Sequence, residues 1–155
     1  MTDPYEVLTR HPLLARLNPE QVQRFALAGE VERFNRGESI VIEGTLGDAL
    51  YLILTGECDV VKSGRRLATL HPGEFFGEMS LVEPAARSAT VKASEAAVLF
   101  RMPHVTVQRL LEEDPLAFSQ VLVAVVRVLS ERLRRTNQLV GSVGQLADWL
   151  AGSLV

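Results

Sequence analysis

Residues 73–90 constrain the fold of this chain more than any other stretch. Two phenylalanines run directly into Gly77-Glu78, a short helix-compatible patch follows, and Arg87 stands nine positions beyond Glu78 at the start of strand-like sequence. This order predicts a strand, a single helical turn and a return to a strand.

Glu78 and Arg87 carry recognition groups of opposite character at a fixed spacing. A carboxylate accepts the hydrogen bond of a sugar hydroxyl, and a planar guanidinium binds two phosphate oxygens at once. Gly77 lets the backbone approach closely and leaves its carbonyl for the same hydroxyl, and the first amides of the turn at 79–82 point toward an anion. The spacing predicts a pocket for a small ring with a phosphodiester and a free ribose hydroxyl. The alternative is a hairpin loop in which Glu78 and Arg87 are solvated.

The same stretch resembles the phosphate-binding cassette of cyclic nucleotide-binding domains, which are found in the bacterial catabolite activator family, in cyclic-nucleotide-dependent kinases and in gated channels. The family pattern is Phe-Gly-Glu, a small residue two positions beyond the Glu, and Arg-Ser/Thr-Ala after a fixed gap. The chain meets it with Phe76-Gly77-Glu78, Ser80 and Arg87-Ser88-Ala89. The resemblance implies that the ligand-binding residues of this segment are Phe76, Gly77, Glu78, Met79, Ser80, Arg87, Ser88 and Ala89.

Ser88 bears on the choice of base. In cAMP-binding members a serine hydroxyl at this place bonds the phosphate, whereas cGMP-preferring members often carry threonine to reach the guanine amino group. The resemblance therefore implies cAMP, with cGMP as the alternative.

Length and composition favour one ordinary globular domain. The 155 residues are 47% hydrophobic and 23% charged, and the net charge of −3 argues against a general nucleic-acid binder. No run of 18 apolar residues and no signal peptide is present, so we expect no membrane span and a cytoplasmic location. We interpret residues 1–155 as a single cyclic nucleotide-binding domain with N-terminal helices (1–29), a β-roll (30–102) and C-terminal helices (103–155).

Short alternating apolar runs separated by glycine turns extend from Glu30 to Met102. Some eight short strands of this kind predict an antiparallel jelly roll or barrel. The fold class is α+β, mainly β, with N-terminal helices and a long C-terminal helix. The resemblance implies that Val60 and Leu67 point into the roll beside the base of the ligand; for each, an ordinary core position is the alternative.

The N-terminal segment carries one clear helix start. Residues 4–17 predict a weak helix, and Asn18 is placed to cap a second helix that runs to about Ala28, with Gln21 returning the hydrogen bond. His11 is expected at the surface or as a cap. The single Cys58 is expected to be a small buried hydrophobe.

Beyond Pro103 the apolar period becomes helical. His104 to Glu112 predicts one helix, and a second begins at Asp114. Its narrow apolar stripe is typical of a coiled-coil seam, so we expect a homodimer through the helix at 115–140. The stripe consists of Phe118, Leu122, Val125, Leu129, Leu133, Thr136 and Val140.

This last helix resembles the dimerisation helix of the catabolite activator family. Its hydroxyl pair that contacts the base maps onto Thr136 and Asn137, where asparagine replaces serine; alternatively, Thr136 is a polar seam residue that fixes register. After two glycines at 141 and 144 we expect a short amphipathic helix that folds back on the domain, through Leu146, Trp149, Leu150 and Leu154. The remaining segment is too short for a DNA-binding helix-turn-helix domain.

Three functions are weighed on these features. The first is a cyclic nucleotide sensor that passes its signal to an unknown downstream protein, and the presence of both Glu78 and Arg87 favours it. A non-binding scaffold or dimerisation module on the same fold is the alternative. A metal-dependent enzyme on a similar roll is disfavoured because His11, His71 and His104 are scattered, so we expect no catalytic residue, no metal and no catalytic cofactor.

Overall fold

The computed structural model describes residues 2–153. Contacts divide the chain into two units, one ending at Val121 and the other beginning at Leu122. The single-domain organisation remains a prediction.

Two helices and a 3-10 turn precede the strands. Helix α1 spans Pro4–Thr9, the 3-10 turn spans Pro12–Leu14, and α2 spans Pro19–Ala28. The predicted weak helix over 4–17 is therefore wrong in extent: proline lacks the N–H that would continue it and restricts the residue before it. The capping box of α2 is confirmed, with the Gln21 amide donating to Asn18 Oδ1 at 2.9 Å and the Asn18 amide donating to Gln21 Oε1 at 3.0 Å.

His11 caps the 3-10 turn from a buried position. Its Nδ1 accepts the Leu13 amide at 3.2 Å, its Nε2 lies 3.3 Å from the Glu74 carbonyl oxygen, and the residue is 3% exposed. The predicted capping role is confirmed, and the predicted surface position is wrong. Burial lowers the pKa of His11 to about 4, although the backbone hydrogen bond to Glu74 opposes this shift.

Ten strands lie in the described part of the chain, where the sequence indicated eight. Three of them are only two residues long, too short for an alternating pattern to reveal. Their bounds are β1 Glu30–Phe34, β2 Ser39–Val41, β3 Leu46–Gly47, β4 Ala49–Thr55, β5 Cys58–Lys62, β6 Arg65–Leu70, β7 Phe75–Phe76, β8 Ala85–Ala86, β9 Thr90–Ala93 and β10 Ala97–Pro103.

The strands form antiparallel sheets, as predicted. One four-stranded sheet has the order β1-β10-β4-β7, a second has the order β2-β9-β5-β6, and β3 pairs with β8. A buried cluster joins the two larger sheets, since Tyr51 and Ile53 of β4 pack with Cys58 of β5 and Val91 of β9. The structure is thus a mixed one, with helices around antiparallel sheets.

Helices also cover the opposite face of the first sheet. Phe100 of β10 stacks on Phe25 of α2, with ring centroids 5.5 Å apart. Every residue of β4 from Ala49 to Leu54 is buried, because this strand contributes side chains to both faces. Such double burial explains the continuous apolar run of β4. Its first residues lie where the candidate site begins.

Two helices follow the strands. Helix α3 spans His104–Glu113, and the 39-residue α4 spans Pro115–Ser153, starting beside Asp114, whose Oδ1 accepts the Ala117 amide at 3.2 Å. No helix within residues 2–153 is long and apolar enough to cross a bilayer.

The predicted break in α4 is wrong. The helix continues through Gly141 and Gly144, because an isolated glycine costs a helix only about 1 kcal/mol relative to alanine and no proline follows to end it. The predicted fold-back is wrong as well: Trp149 is 67% exposed and Leu146 is 56% exposed. Leu154, assigned to the same short helix, lies outside the described residues.

Candidate functional site

Arg87 directly follows β8, and hydrogen bonds hold both its backbone and its side chain. Its amide donates to the Thr45 carbonyl at 2.8 Å, and its carbonyl accepts the Gly44 amide at 2.9 Å. Nη2 of its guanidinium donates to the Ala49 carbonyl at 2.9 Å. The side chain is therefore directed along the start of β4.

Gly47 makes this path possible. A Cβ at residue 47 would lie 2.2 Å from Arg87 Nε and 2.6 Å from Arg87 Cζ, closer than non-bonded atoms approach. The space that a side chain would fill is occupied by the guanidinium. Residue 47 therefore has to be glycine, because the Arg87 side chain lies too close to leave room for a Cβ.

A pair of stacked aromatic rings forms the floor beside the guanidinium. Tyr51 of β4 and Phe76 of β7 are paired across the sheet, with ring centroids 5.0 Å apart and an interplanar angle of 11°. Arg87 Cζ lies 5.9 Å from the centroid of Tyr51, within the range of a cation–π contact. The strand that ends in Phe76 therefore brings the start of the cassette next to Arg87.

The cassette turn follows at once. Gly77 has φ +80°, a left-handed conformation that glycine adopts without strain, and a Cβ there would lie 2.5 Å from the Ala49 carbonyl oxygen. Residues Glu78–Leu81 form a short 3-10 helix, here called the cassette helix. The predicted helical turn between the two strands is confirmed.

One detail of the cassette differs from expectation. The Gly77 carbonyl accepts the Ser80 amide at 3.1 Å and the Ser80 hydroxyl at 2.6 Å. These two bonds use the two lone pairs of that oxygen, so the prediction that it is left for a ligand hydroxyl is wrong. Ser80, at 3% exposure, is a buried brace of the turn.

The surroundings of Arg87 act on its charge in opposite directions. Burial lowers the pKa of Arg87, and the charges of Tyr51, Asp48 and Glu78 oppose this shift. The guanidinium keeps its charge, because arginine is not deprotonated in proteins. Among the described residues no carboxylate oxygen lies within 4.0 Å of it. The cation is positioned but not neutralised by a direct ion pair.

Asp48, whose charge acts on Arg87, forms its own ion pair elsewhere. Its Oδ1 lies 3.3 Å from Arg101 Nη2, and Arg101 Nε lies 3.8 Å from Glu32 Oε1. Arg101 stands opposite Tyr51 in the β4–β10 register. These ion pairs hold Arg101 of β10 beside Tyr51, one of the two stacked rings of the aromatic floor.

The other predicted cassette residues surround this centre at different depths. Phe76 is 8% exposed, Met79 is 65% exposed, Glu78 and Ala89 are half-buried, and Ser88 is exposed. The structure therefore brings the cassette segment and Arg87 to one edge of the sheets.

Val60 and Leu67 lie on neighbouring strands of the second sheet. Val60 is partly buried and packs against the buried cluster, so its core role is real. Leu67 is 57% exposed and falls at the bulge between the pairs Val60–Ala68 and Val61–Arg66. Their contact with a base remains a prediction.

Thr136 and Asn137 belong to the second unit. Both are exposed, and the Thr136 hydroxyl donates to the Arg132 carbonyl at 3.0 Å within α4. Their role at the site also remains a prediction.

Sequence reasoning missed several residues that build the site. Gly47 falls within a stretch interpreted only as a turn, and Tyr51 within an apolar strand; the tyrosine in that run was the one available signal. A backbone acceptor such as the Ala49 carbonyl leaves no signal in a sequence. His104, at 8% exposure, also went unassigned: its Nδ1 contacts the Ser80 carbonyl oxygen, and its amide donates to the Asp48 carbonyl at 2.7 Å.

Metal ligands do not cluster in this structure. Within residues 2–153 no group of three or more His, Cys, Asp or Glu side chains is arranged to hold a metal ion.

Comparison with known proteins identifies the family. The family model described as the cyclic nucleotide-binding domain matches residues 31–114, which include the cassette and all of the strands except the first residue of β1. A solved cyclic nucleotide-binding domain from Methylobacillus flagellatus is similar in structure, with a TM-score of 0.79 and 26% identity over 86% of this chain and 80% of that one.

Two curated relatives carry a similar segment within longer proteins. The cAMP-dependent protein kinase regulatory subunit of Schizosaccharomyces pombe is 36% identical over 109 residues, which cover 69% of this chain and 26% of the relative. Glutaminase 1 of Bradyrhizobium diazoefficiens is 33% identical over 131 residues, which cover 84% of this chain and 21% of the relative. The chain thus spans about a fifth to a quarter of each. It belongs to the cyclic nucleotide-binding domain family.

Proposed function

We propose that the chain binds a cyclic nucleotide, with cAMP as the preferred ligand, between Glu78 and Arg87. One observation carries this proposal: the Arg87 guanidinium is half-buried, is fixed by the Ala49 carbonyl at 2.9 Å, and has no carboxylate of the described residues within ion-pair distance. A guanidinium has five N–H donors, so several remain for the oxygens of a phosphodiester. A solvated surface arginine would need neither the bare Gly47 nor the aromatic floor.

Glu78 supplies the second recognition group. It opens the cassette helix directly after the left-handed Gly77, and its charge acts on Arg87. The carboxylate of Glu78 accepts the hydrogen bond of the ribose 2′-hydroxyl, while the guanidinium of Arg87 binds the phosphate. Since the Gly77 carbonyl is occupied by Ser80, Glu78 carries the ribose contact without it.

The choice of cAMP rests on Ser88 and on a relative. Ser88 is exposed beside Arg87, where its hydroxyl can bond a phosphate oxygen. The Schizosaccharomyces pombe relative is named a cAMP-dependent regulatory subunit. In this proposal Met79 and Ala89 flank the ring, and Val60 and Leu67 lie beside the base. Thr136 and Asn137 contact the base in part from the partner subunit of a homodimer. cGMP is the alternative ligand.

The chain acts in this proposal as a regulatory module and not as a catalyst. The two four-stranded sheets constitute the eight-stranded jelly roll, and ligand binding is relayed through the C-terminal helices to a downstream protein in the cytoplasm. A homodimer forms through the helix at 115–140, in which the seam residues Leu133 and Val140 are 60% and 66% exposed, whereas Phe118 and Val125 are already buried in the single chain.

Calorimetric titration of matched variants tests the two contacts. Arg87→Ala leaves the phosphate without its cation, and loss of a partner to a buried charge costs about 2–5 kcal/mol, or roughly 30-fold to a few thousand-fold in Kd. Arg36→Ala makes the same chemical change at an exposed turn and should leave Kd unchanged. Equal affinity of the Arg87→Ala and Arg36→Ala proteins would remove Arg87 from the site.

To test the ribose contact, the protein and the ligand are changed separately and together. Wild-type protein should bind 2′-deoxy-cAMP more weakly than cAMP, and Glu78→Ala should bind both ligands alike, because the hydroxyl has lost its acceptor. Glu112→Ala, at an exposed position, should behave as wild type. A full further loss with the deoxy ligand on Glu78→Ala would contradict the ribose role.

A further inference from the structure

We propose that His104 is a positioning residue of the ligand site, which holds the cassette helix against the first turn of α3 and transmits occupancy of the site to that helix. This inference rests on the proposed function, because the effect of His104 on binding requires that the site take a nucleotide. The contact itself is a property of the free protein.

The side chain of His104 makes a defined hydrogen bond to the cassette. The residue is the first of α3, is 8% exposed, and has Nδ1 in contact with the Ser80 carbonyl oxygen. A carbonyl oxygen only accepts, so Nδ1 carries the proton of this hydrogen bond. The contact is specific for one atom of the ring.

Ser80 is rigidly connected to the recognition residues. Its amide and its hydroxyl both donate to the Gly77 carbonyl, at 3.1 and 2.6 Å. A displacement of the Ser80 carbonyl therefore moves the turn from Gly77 to Ser80 as one body, and Glu78 lies inside that turn. Through the Ser80 carbonyl, the imidazole of His104 therefore positions Glu78, the proposed acceptor for the ribose hydroxyl.

The backbone of His104 reaches the other half of the site. Its amide donates to the Asp48 carbonyl at 2.7 Å, and the carbonyl of the next residue, Ala49, holds Arg87 Nη2. Pro103, which precedes the helix, provides no side-chain cap. The first turn of α3 is thus anchored to the segment that positions Arg87 and to the turn that carries Glu78. Any shift of these segments relative to each other changes the anchors of α3.

Two variants separate a hydrogen-bonding role from simple packing. His104→Leu fills a similar volume without a donor, and His104→Asn returns an N–H close to the position of Nδ1. Loss of a buried hydrogen bond costs about 1–3 kcal/mol, so we expect His104→Leu to bind cAMP about tenfold more weakly and His104→Asn to recover most of the loss. Amide hydrogen exchange gives a second readout: saturating cAMP should change protection at residues 104–107 in wild type and in His104→Asn, but not in His104→Leu.

The outcomes distinguish this inference from the proposed function. Nitrogen NMR of the imidazole in free wild-type protein should show a protonated Nδ1 on His104; a protonated Nε2 with bare Nδ1 overturns the contact, whatever the protein binds. Wild-type affinity in His104→Leu, or an equally weak His104→Asn, overturns the positioning role alone. Absence of any binding of cAMP and cGMP to wild type overturns the proposed function, and the role of His104 in it falls too.

Discussion

Gly47→Ala displaces the Arg87 guanidinium without changing Arg87 itself. The new methyl group would stand 2.2 Å from Nε, 2.6 Å from Cδ and 2.6 Å from Cζ, so the side chain has to leave its position over Tyr51. The backbone of Gly47 lies outside the left-handed region, and alanine adopts its conformation without strain. The substitution therefore removes the cation from the site while the strand pair β3–β8 remains.

The expected effects on folding and on binding differ in size. Displacement of Arg87 removes a charged hydrogen bond to Ala49, worth about 1.5–3 kcal/mol at most, and glycine to alanine returns about 0.4–1 kcal/mol through the unfolded state. Because Arg87 is half-exposed, we expect the free energy of unfolding to fall by only about 1 kcal/mol. Binding of cAMP should weaken by about 2 kcal/mol or more, roughly 30-fold in Kd.

Calorimetric titration and urea unfolding of the same preparations measure both effects. Gly144→Ala is the matched control, since a Cβ there meets nothing within 4 Å, and it should leave cAMP binding unchanged. If Gly47→Ala binds cAMP as tightly as wild type, Arg87 does not bind the phosphate from its present position. If it fails to fold, the argument that only a flexible side chain is displaced is wrong.

Two further predictions concern stability and assembly. The pKa of His11 is lowered to about 4 from an ordinary 6.5, so between these values the unfolded state binds a proton that the folded state does not. The contribution of His11 to the free energy of unfolding is therefore fully present above about pH 6.5 and is lost as the pH falls toward 4, with a loss of about 2 kcal/mol at about pH 5. His11→Asn keeps an acceptor for the Leu13 amide without a titrating ring, so urea unfolding should show a smaller loss between neutral pH and about pH 5, and an equal loss would assign the effect to other groups. Leu129→Glu puts a charge into the seam of α4 and should convert a dimer to a monomer in light scattering; a wild-type monomer would show that the stripe is not a dimer interface.

Local patterns predicted the parts of this structure that local forces determine. The capping box at Asn18 and Gln21 depends on residues three positions apart, and the turn after Phe76 depends on a glycine with positive φ. Arg87 was assigned to the ligand site from its residue type and spacing, and that role remains a prediction. These features need no knowledge of distant contacts.

Tertiary contacts account for what the sequence analysis missed or got wrong. Gly47 and Tyr51 matter only because Arg87 passes beside them, and His104 only because α3 begins next to Ser80. His11, expected at the surface or as a cap, is a buried cap. The glycines of α4 gave a false stop because their cost is spread over a 39-residue helix with many backbone hydrogen bonds.

Side-by-side calorimetric titration of the wild-type protein with cAMP and cGMP tests the binding site of Glu78 and Arg87 most directly. We predict saturable binding at one site per chain, tighter for cAMP than for cGMP. Saturable binding that is tighter for cGMP would reverse the assigned base while leaving the site in place. No heat of binding with either nucleotide would contradict the account, and the same fold would then serve as a scaffold without a ligand.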